Sequence, residues 1–69
     1  MERVQVESSN IASIGYDEKS NTLEIEFLNG SVYQYFDVPN KIYEDLMHAS
    51  SHGHYLATNI KGIYRYARV

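Results

Sequence analysis

Between Thr22 and Pro39 the chain reads TLEIEFLNGSVYQYFDVP, and this stretch constrains the fold more than any other. Leu23, Ile25 and Phe27 alternate with Glu24 and Glu26, the two-residue period of a strand with one apolar face and one wet face. Asn29-Gly30 is a turn signal, after which alternation resumes through Tyr33 and Tyr35 and stops at Val38-Pro39. The pattern specifies a hairpin that hands over to a helix, because proline lacks a ladder donor but suits a first helical turn. Turn length sets the register. A two-residue Asn29-Gly30 turn places Phe27 opposite Val32 and Glu26 opposite Tyr33. A three-residue Leu28-Asn29-Gly30 loop with a glycine bulge places Ile25 opposite Tyr33, Leu23 opposite Tyr35 and Glu24 opposite Gln34. The second register keeps like with like and is the expected one, with Tyr33 and Tyr35 against the core and Glu24 and Glu26 in water.

The flanking segments read more weakly. Val4 and Val6 alternate with polar neighbours, as a short edge strand would. Ile11 to Tyr16 reads as a strand, with Gly15 allowing a bulge or a close backbone approach. Asp17 to Asn21 is rich in turn formers. In Asn40 to Ala49, Ile42/Leu46 and Tyr43/Met47 are spaced by four, giving a helix over 39–49 with one apolar stripe. Ser50-Ser51-His52-Gly53 breaks that helix, and either serine can cap a second, shorter one over Tyr55 to Ile60. Gly62 ends it, and Tyr64 to Val69 reads as a last strand or an extended tail. The expected core is Ile14, Tyr16, Leu23, Ile25, Phe27, Tyr33, Tyr35, Val38, Ile42, Leu46, Tyr55 and Ile60.

Sixty-nine residues make one domain, 1–69, with a thin core. Seven of the nine aromatic residues are tyrosines, which suit such a core because the ring packs while the hydroxyl stays wet. No cysteine is present, which excludes a disulfide scaffold and thiol chemistry and points to a reducing cytoplasm. No apolar run approaches a membrane span, and the N-terminus has no signal-peptide core. The net charge of −3 conceals an asymmetry. Residues 1–45 carry nine acids against three cations, a net of −6, whereas residues 46–69 carry no acid and three cations, a net of +3. A basic face can therefore exist on an acidic molecule.

Three groups of residues have chemical potential. Ser50 to Tyr55 combines serine hydroxyls, Gly53 and a helix start, the parts of an anion cradle, although helix capping is the commoner use of such serines. Lys61, Arg65 and Arg68 follow on the acid-free segment. Together with Ser51, Gly53 and Tyr64 they form the candidate anion- or RNA-binding set, with Tyr64 or Tyr66 available to stack a base. His48, His52 and His54 include a four-residue helical spacing, but no acid beyond Asp45 completes a metal site nearby, so no metal or other cofactor is expected. No nucleophile–base pattern is evident, and no enzymatic activity is expected.

The pattern Ser8-Ser9-x-Ile11, Gly15-Tyr16-Asp17, Leu23-x-x-x-Phe27-x-x-Gly30-x-x-Tyr33-x-Tyr35-x-x-Val38-Pro39, Ala49-x-Ser51-x-Gly53-x-Tyr55, then Asn59-Ile60-Lys61 and Tyr64, resembles the KTSC domain. That domain is named for its place at the C-terminus of some lysyl-tRNA synthetases and also occurs alone in short bacterial and phage proteins. The resemblance implies a cytoplasmic home and makes RNA a candidate partner by analogy; it brings no catalytic residues.

The expectation is an α+β domain: a three-stranded antiparallel meander over residues 11–36, packed on one helix and a short second helix, with short terminal strands as an option. The expected function is a non-catalytic binding module for RNA or another anionic ligand. The alternative is a protein-interaction module or homodimer, formed through a sheet edge or the Glu24/Glu26 face.

Overall fold

The computed structural model describes residues 1–69. Five strands and two helices follow in the order β1 (Arg3–Gln5), β2 (Ile11–Asp17), β3 (Thr22–Phe27), β4 (Val32–Tyr35), α1 (Asn40–His48), α2 (His52–Asn59) and β5 (Tyr66–Arg68). The strands form one antiparallel sheet in sequence order, β1-β2-β3-β4-β5. The sheet is wider than the expected three-stranded meander. Its two extra strands, three residues each, are the terminal strands that the sequence offered only as an option, and each forms by pairing with an edge that would otherwise be bare.

The hairpin takes the three-residue loop. Leu23 faces Tyr35, Glu24 faces Gln34 and Ile25 faces Tyr33. The Phe27 N–H donates to Ser31 O at 2.9 Å and the Gly30 N–H to Phe27 O at 2.9 Å. Gly30 sits at φ +92°, a conformation that costs glycine nothing and a side chain dearly.

One sheet face carries the core. Ile11, Ile14, Leu23, Ile25 and Tyr35 pack with Val38, with Leu46 of α1, and with Leu56 and Ile60 of the α2 end. Ile11 and Leu56 were not expected there. Ile11 lies beside a register irregularity at the start of β2, and Leu56 belongs to a helix too short to show a clear stripe. Phe27, Tyr33, Tyr16, Ile42 and Tyr55 are only half-buried around this cluster. The Tyr16 ring stacks on Tyr43 at 4.8 Å, and its hydroxyl donates to Val38 O at 2.6 Å, tying β2 to the connection before α1.

Pro39 immediately precedes α1, and its carbonyl accepts from the Ile42 and Tyr43 N–H groups. The second helix is longer than expected. It starts at His52 because the Ser51 hydroxyl accepts from the His54 N–H at 3.2 Å, so His52 and Gly53 are helical rather than part of the break.

The other sheet face corrects a further expectation. Arg3, Gly15, Glu24, Gln34 and Ala67 align in one row across all five strands. Gly15 has no side chain, and a Cβ there would collide with Glu2 O and the Arg3 side chain. Arg3 therefore crosses over Gly15 to pair with Glu24 at 2.5 Å, while Gln34 donates to the other Glu24 oxygen at 2.8 Å. Glu24 is buried, not wet. No helix is long and apolar enough to cross a membrane.

Candidate functional site

On the helix-covered face the last rungs of the sheet emerge from cover. Ile25 is fully buried, its neighbour Tyr33 is half-buried, and Tyr66, paired with Tyr35 on the edge strand β5, is exposed. Alternation places Tyr33, Tyr35, Tyr66 and Arg68 on this same face. The three tyrosines, Phe27 and the Lys61-Gly62 turn after α2 line an open cleft of about 480 Å³, and Arg68 lies beside it against Tyr33.

The walls are aromatic. Tyr33 meets Phe27 edge-on at 5.8 Å, and Tyr66 lies 5.9 Å from both Tyr33 and Tyr35. Two cations sit on the rings. Lys61 Nζ is 5.4 Å from the Phe27 centroid and the Arg68 guanidinium is 6.0 Å from Tyr33. Neither cation forms an ion pair, and no carboxylate or histidine lines the cleft.

At the base, Tyr35 is 3% exposed, yet its hydroxyl finds no protein partner and is not sealed from solvent. Tyr35 is thus a nearly buried residue of the cleft lining with an unpartnered hydroxyl. Burial, with Tyr33 and Tyr66 beside it, raises its pKa, so it remains a neutral phenol able to donate. At the rim, Asn29 Oδ1 accepts from the Ser31 N–H at 3.0 Å and the Ser31 hydroxyl at 2.7 Å, which leaves the Asn29 Nδ2 donor free. This arrangement can stack a planar group, neutralise a phosphate and donate hydrogen bonds.

The fold divides the six residues of the candidate set. Lys61 lines the cleft and Arg68 joins it through Tyr33. Arg65 turns elsewhere, onto Phe36 at 5.3 Å and to Asp37 at 2.9 Å. Ser51 caps α2 and Gly53 packs against Asn10, away from the cleft lining. Tyr64 packs half-buried against the core, and Tyr66 is the tyrosine that faces the cleft. His48 donates from Nδ1 to Glu44 O and His52 to Leu46 O, both at 2.8 Å, so each serves the chain locally. No group of three metal-ligating side chains comes together. Phe27, Tyr33 and Tyr35 were assigned to the core and Asn29 to a turn. The signal that joins them is the pairing of β5 with β4, which no local pattern carries.

The acids of β3 lie apart from the cleft. Glu24 and Glu26 occupy the opposite sheet face, bridged by Arg3, with Ser13 donating to Glu26 at 2.8 Å. Residues 7–69 match the family model of the KTSC domain. A lysine–tRNA ligase of Nostoc punctiforme is 43% identical over 63 residues, which is 91% of this chain but only 11% of that protein's length. A protein of Stutzerimonas stutzeri is 39% identical over 70 residues, covering 100% of this chain and 99% of the relative. The crystal structure of a KTSC domain protein from Yersinia pestis superposes with a TM-score of 0.94 at 39% identity, covering 99% of this chain and 96% of that one. This chain belongs to the KTSC domain family.

Proposed function

We propose that this domain is a non-catalytic, cytoplasmic binding module that takes single-stranded nucleic acid, RNA in the first instance, into the aromatic cleft. The observation that carries the reading is an acid-free pocket in which the exposed Tyr66 and half-buried Tyr33 meet the unpaired cations Lys61 and Arg68, with Tyr35 in the lining and its hydroxyl unpartnered. Rings and cations together are what backbone-tracking, base-stacking sites use. The volume suits one nucleotide, and a duplex would hide the base faces that the rings need. The same domain within a lysine–tRNA ligase supports RNA over other anions. The lack of any carboxylate or histidine in the lining supports binding rather than turnover.

Titration with short single-stranded RNA, followed by backbone and side-chain NMR, tests this. Shifts are expected at Tyr33, Tyr66, Lys61 and Arg68. Two phosphate contacts give a slope of log affinity against log salt of about −1.4. Tyr66→Ala is expected to weaken binding by about 1–3 kcal/mol. Shifts confined to the Glu24/Glu26 face, or binding indifferent to salt, would overturn the reading. A second reading has one observation of its own: β5 is exposed along its length and hydrogen-bonded on one side only. A strand from a partner or a second copy can add there, and such pairing is salt-insensitive.

A further inference from the structure

Phe27 and Asn29 wall two clefts, not one. Across them from the aromatic cleft lies a shallower hollow of about 270 Å³, completed by Ser9, Asn10 and Leu28. Resting on the nucleic-acid reading of the first cleft, we propose that this hollow is a second subsite, holding the adjacent nucleotide of the same strand.

Three observations carry the proposal. Phe27 and Asn29 are common to both linings, and Lys61 Nζ stands over the Phe27 ring at 5.4 Å without a carboxylate partner. A phosphodiester linking occupants of the two clefts passes this shared wall, where the ammonium can meet its charge. The hollow itself has no acid in its lining, so the acid-free surface continues from one cleft into the next.

The hollow also presents an amide donor. The Ser8 hydroxyl accepts from the Asn10 and Ile11 N–H groups, so its own hydrogen goes to Asn10 Oδ1 at 3.1 Å. That orients the Asn10 amide and leaves its Nδ2 with no protein partner. The backbone holds Asn10 in place as well, because its carbonyl accepts from the Leu28 N–H at 2.9 Å. Behind it stands Gly53, where any Cβ would collide with the Asn10 side chain. An amide donor without a protein partner, beside an exposed leucine, offers a hydrogen bond to a base edge and an apolar surface to its face.

The test compares 5′-phosphorylated mono-, di- and triuridylates on the whole chain by calorimetry. The dinucleotide is expected to bind about tenfold tighter than the mononucleotide, the lower range of one base stack. The trinucleotide should add little more. Asn10→Ala and Leu28→Ala should lose most of the dinucleotide gain while mononucleotide affinity stays unchanged; Leu28 is exposed, so its variant retains the fold even if Asn10→Ala does not. Equal affinity for mono- and dinucleotide, or a full gain retained in Leu28→Ala, overturns the second subsite and leaves the first cleft standing. Absence of binding for all three uridylates removes the first reading and this one with it.

Discussion

Glu24 sits where strand alternation assigns water, yet only 8% of it is exposed. The Gln34 hydrogen bond holds its pKa below the usual glutamate value, and the Arg3 bond and charge add to that, against the opposing effect of burial. A carboxylate whose folded pKa is depressed contributes stability above its unfolded pKa, about 4.5, and loses it as pH falls through the lower folded value. Glu24→Gln is therefore expected to cost roughly 1–2 kcal/mol near neutrality, discounted because Arg3 is partly exposed, and to flatten the loss of stability on acidification. Urea melts of both proteins between about pH 3 and pH 6 check the sign. A similar distinction separates Ile25 from Phe27. Ile25 is fully buried, and Ile25→Ala should cost about 3–4 kcal/mol. Phe27 is half-buried, so Phe27→Ala should cost roughly half as much while removing the shared wall of both clefts. A Phe27→Ala melting as low as Ile25→Ala would place Phe27 in the core instead.

At the scale of elements, α2 shows how a short helix is positioned by contacts rather than by propensity. Eight residues form no stable helix alone in water. Ser51 supplies the cap, Leu56 and Ile60 supply the buried anchors, and Gly53 lets the first turn approach Asn10. Alanine favours a helix over glycine by about 1 kcal/mol, so propensity alone predicts that Gly53→Ala stabilises. The new Cβ instead displaces the end of the exposed Asn10 side chain and its Ser8 hydrogen bond, a loss of about 0.5–1.5 kcal/mol that offsets the helix gain. Combining Gly53→Ala with Asn10→Ser should recover part of that loss, and a thermal-melt double-mutant cycle measures the coupling. The hairpin was legible because its register follows from side-chain alternation and one glycine-dependent loop. The start of α2 was not, because helix-breaking composition at His52-Gly53 was outweighed by a cap and a close packing contact.

At the scale of the molecule, Lys61 and Arg68 gather at the cleft, away from Glu24 and Glu26, because β5 returns to the sheet, while Arg65 instead pairs with Asp37. β5 lies beside β4, far from β1, which brings Tyr66 and Arg68 to the Lys61 turn and leaves the Arg3–Glu24 row on the opposite face. Ending the chain after Arg65 removes two of the cleft's groups and strips β4 of its neighbour. Nucleotide affinity is expected to fall at least tenfold, the worth of one stack. The bared β4 edge should also drive self-association. Titration and sedimentation velocity on the truncated chain check the two effects separately; undiminished binding would place the site elsewhere.

The sequence by itself determined the parts whose physics is local: the hairpin and its register, the apolar stripe of α1, the serine cap, and the family to which the residue pattern points. It also showed that acids and cations are segregated along the chain. Tertiary structure decided which of them meet. Arg65 and Arg68 look equivalent in sequence, but strand alternation turns Arg68 to the tyrosines, while Arg65 ends on Phe36 and Asp37. Tyr33 and Tyr35 read as core, and Tyr35 is core, yet the same pair borders the cleft because β5 adds Tyr66 beside them where no helix covers the sheet. Pairing between strands some thirty residues apart depends on the whole core closing, and that information lies in no single stretch of the chain.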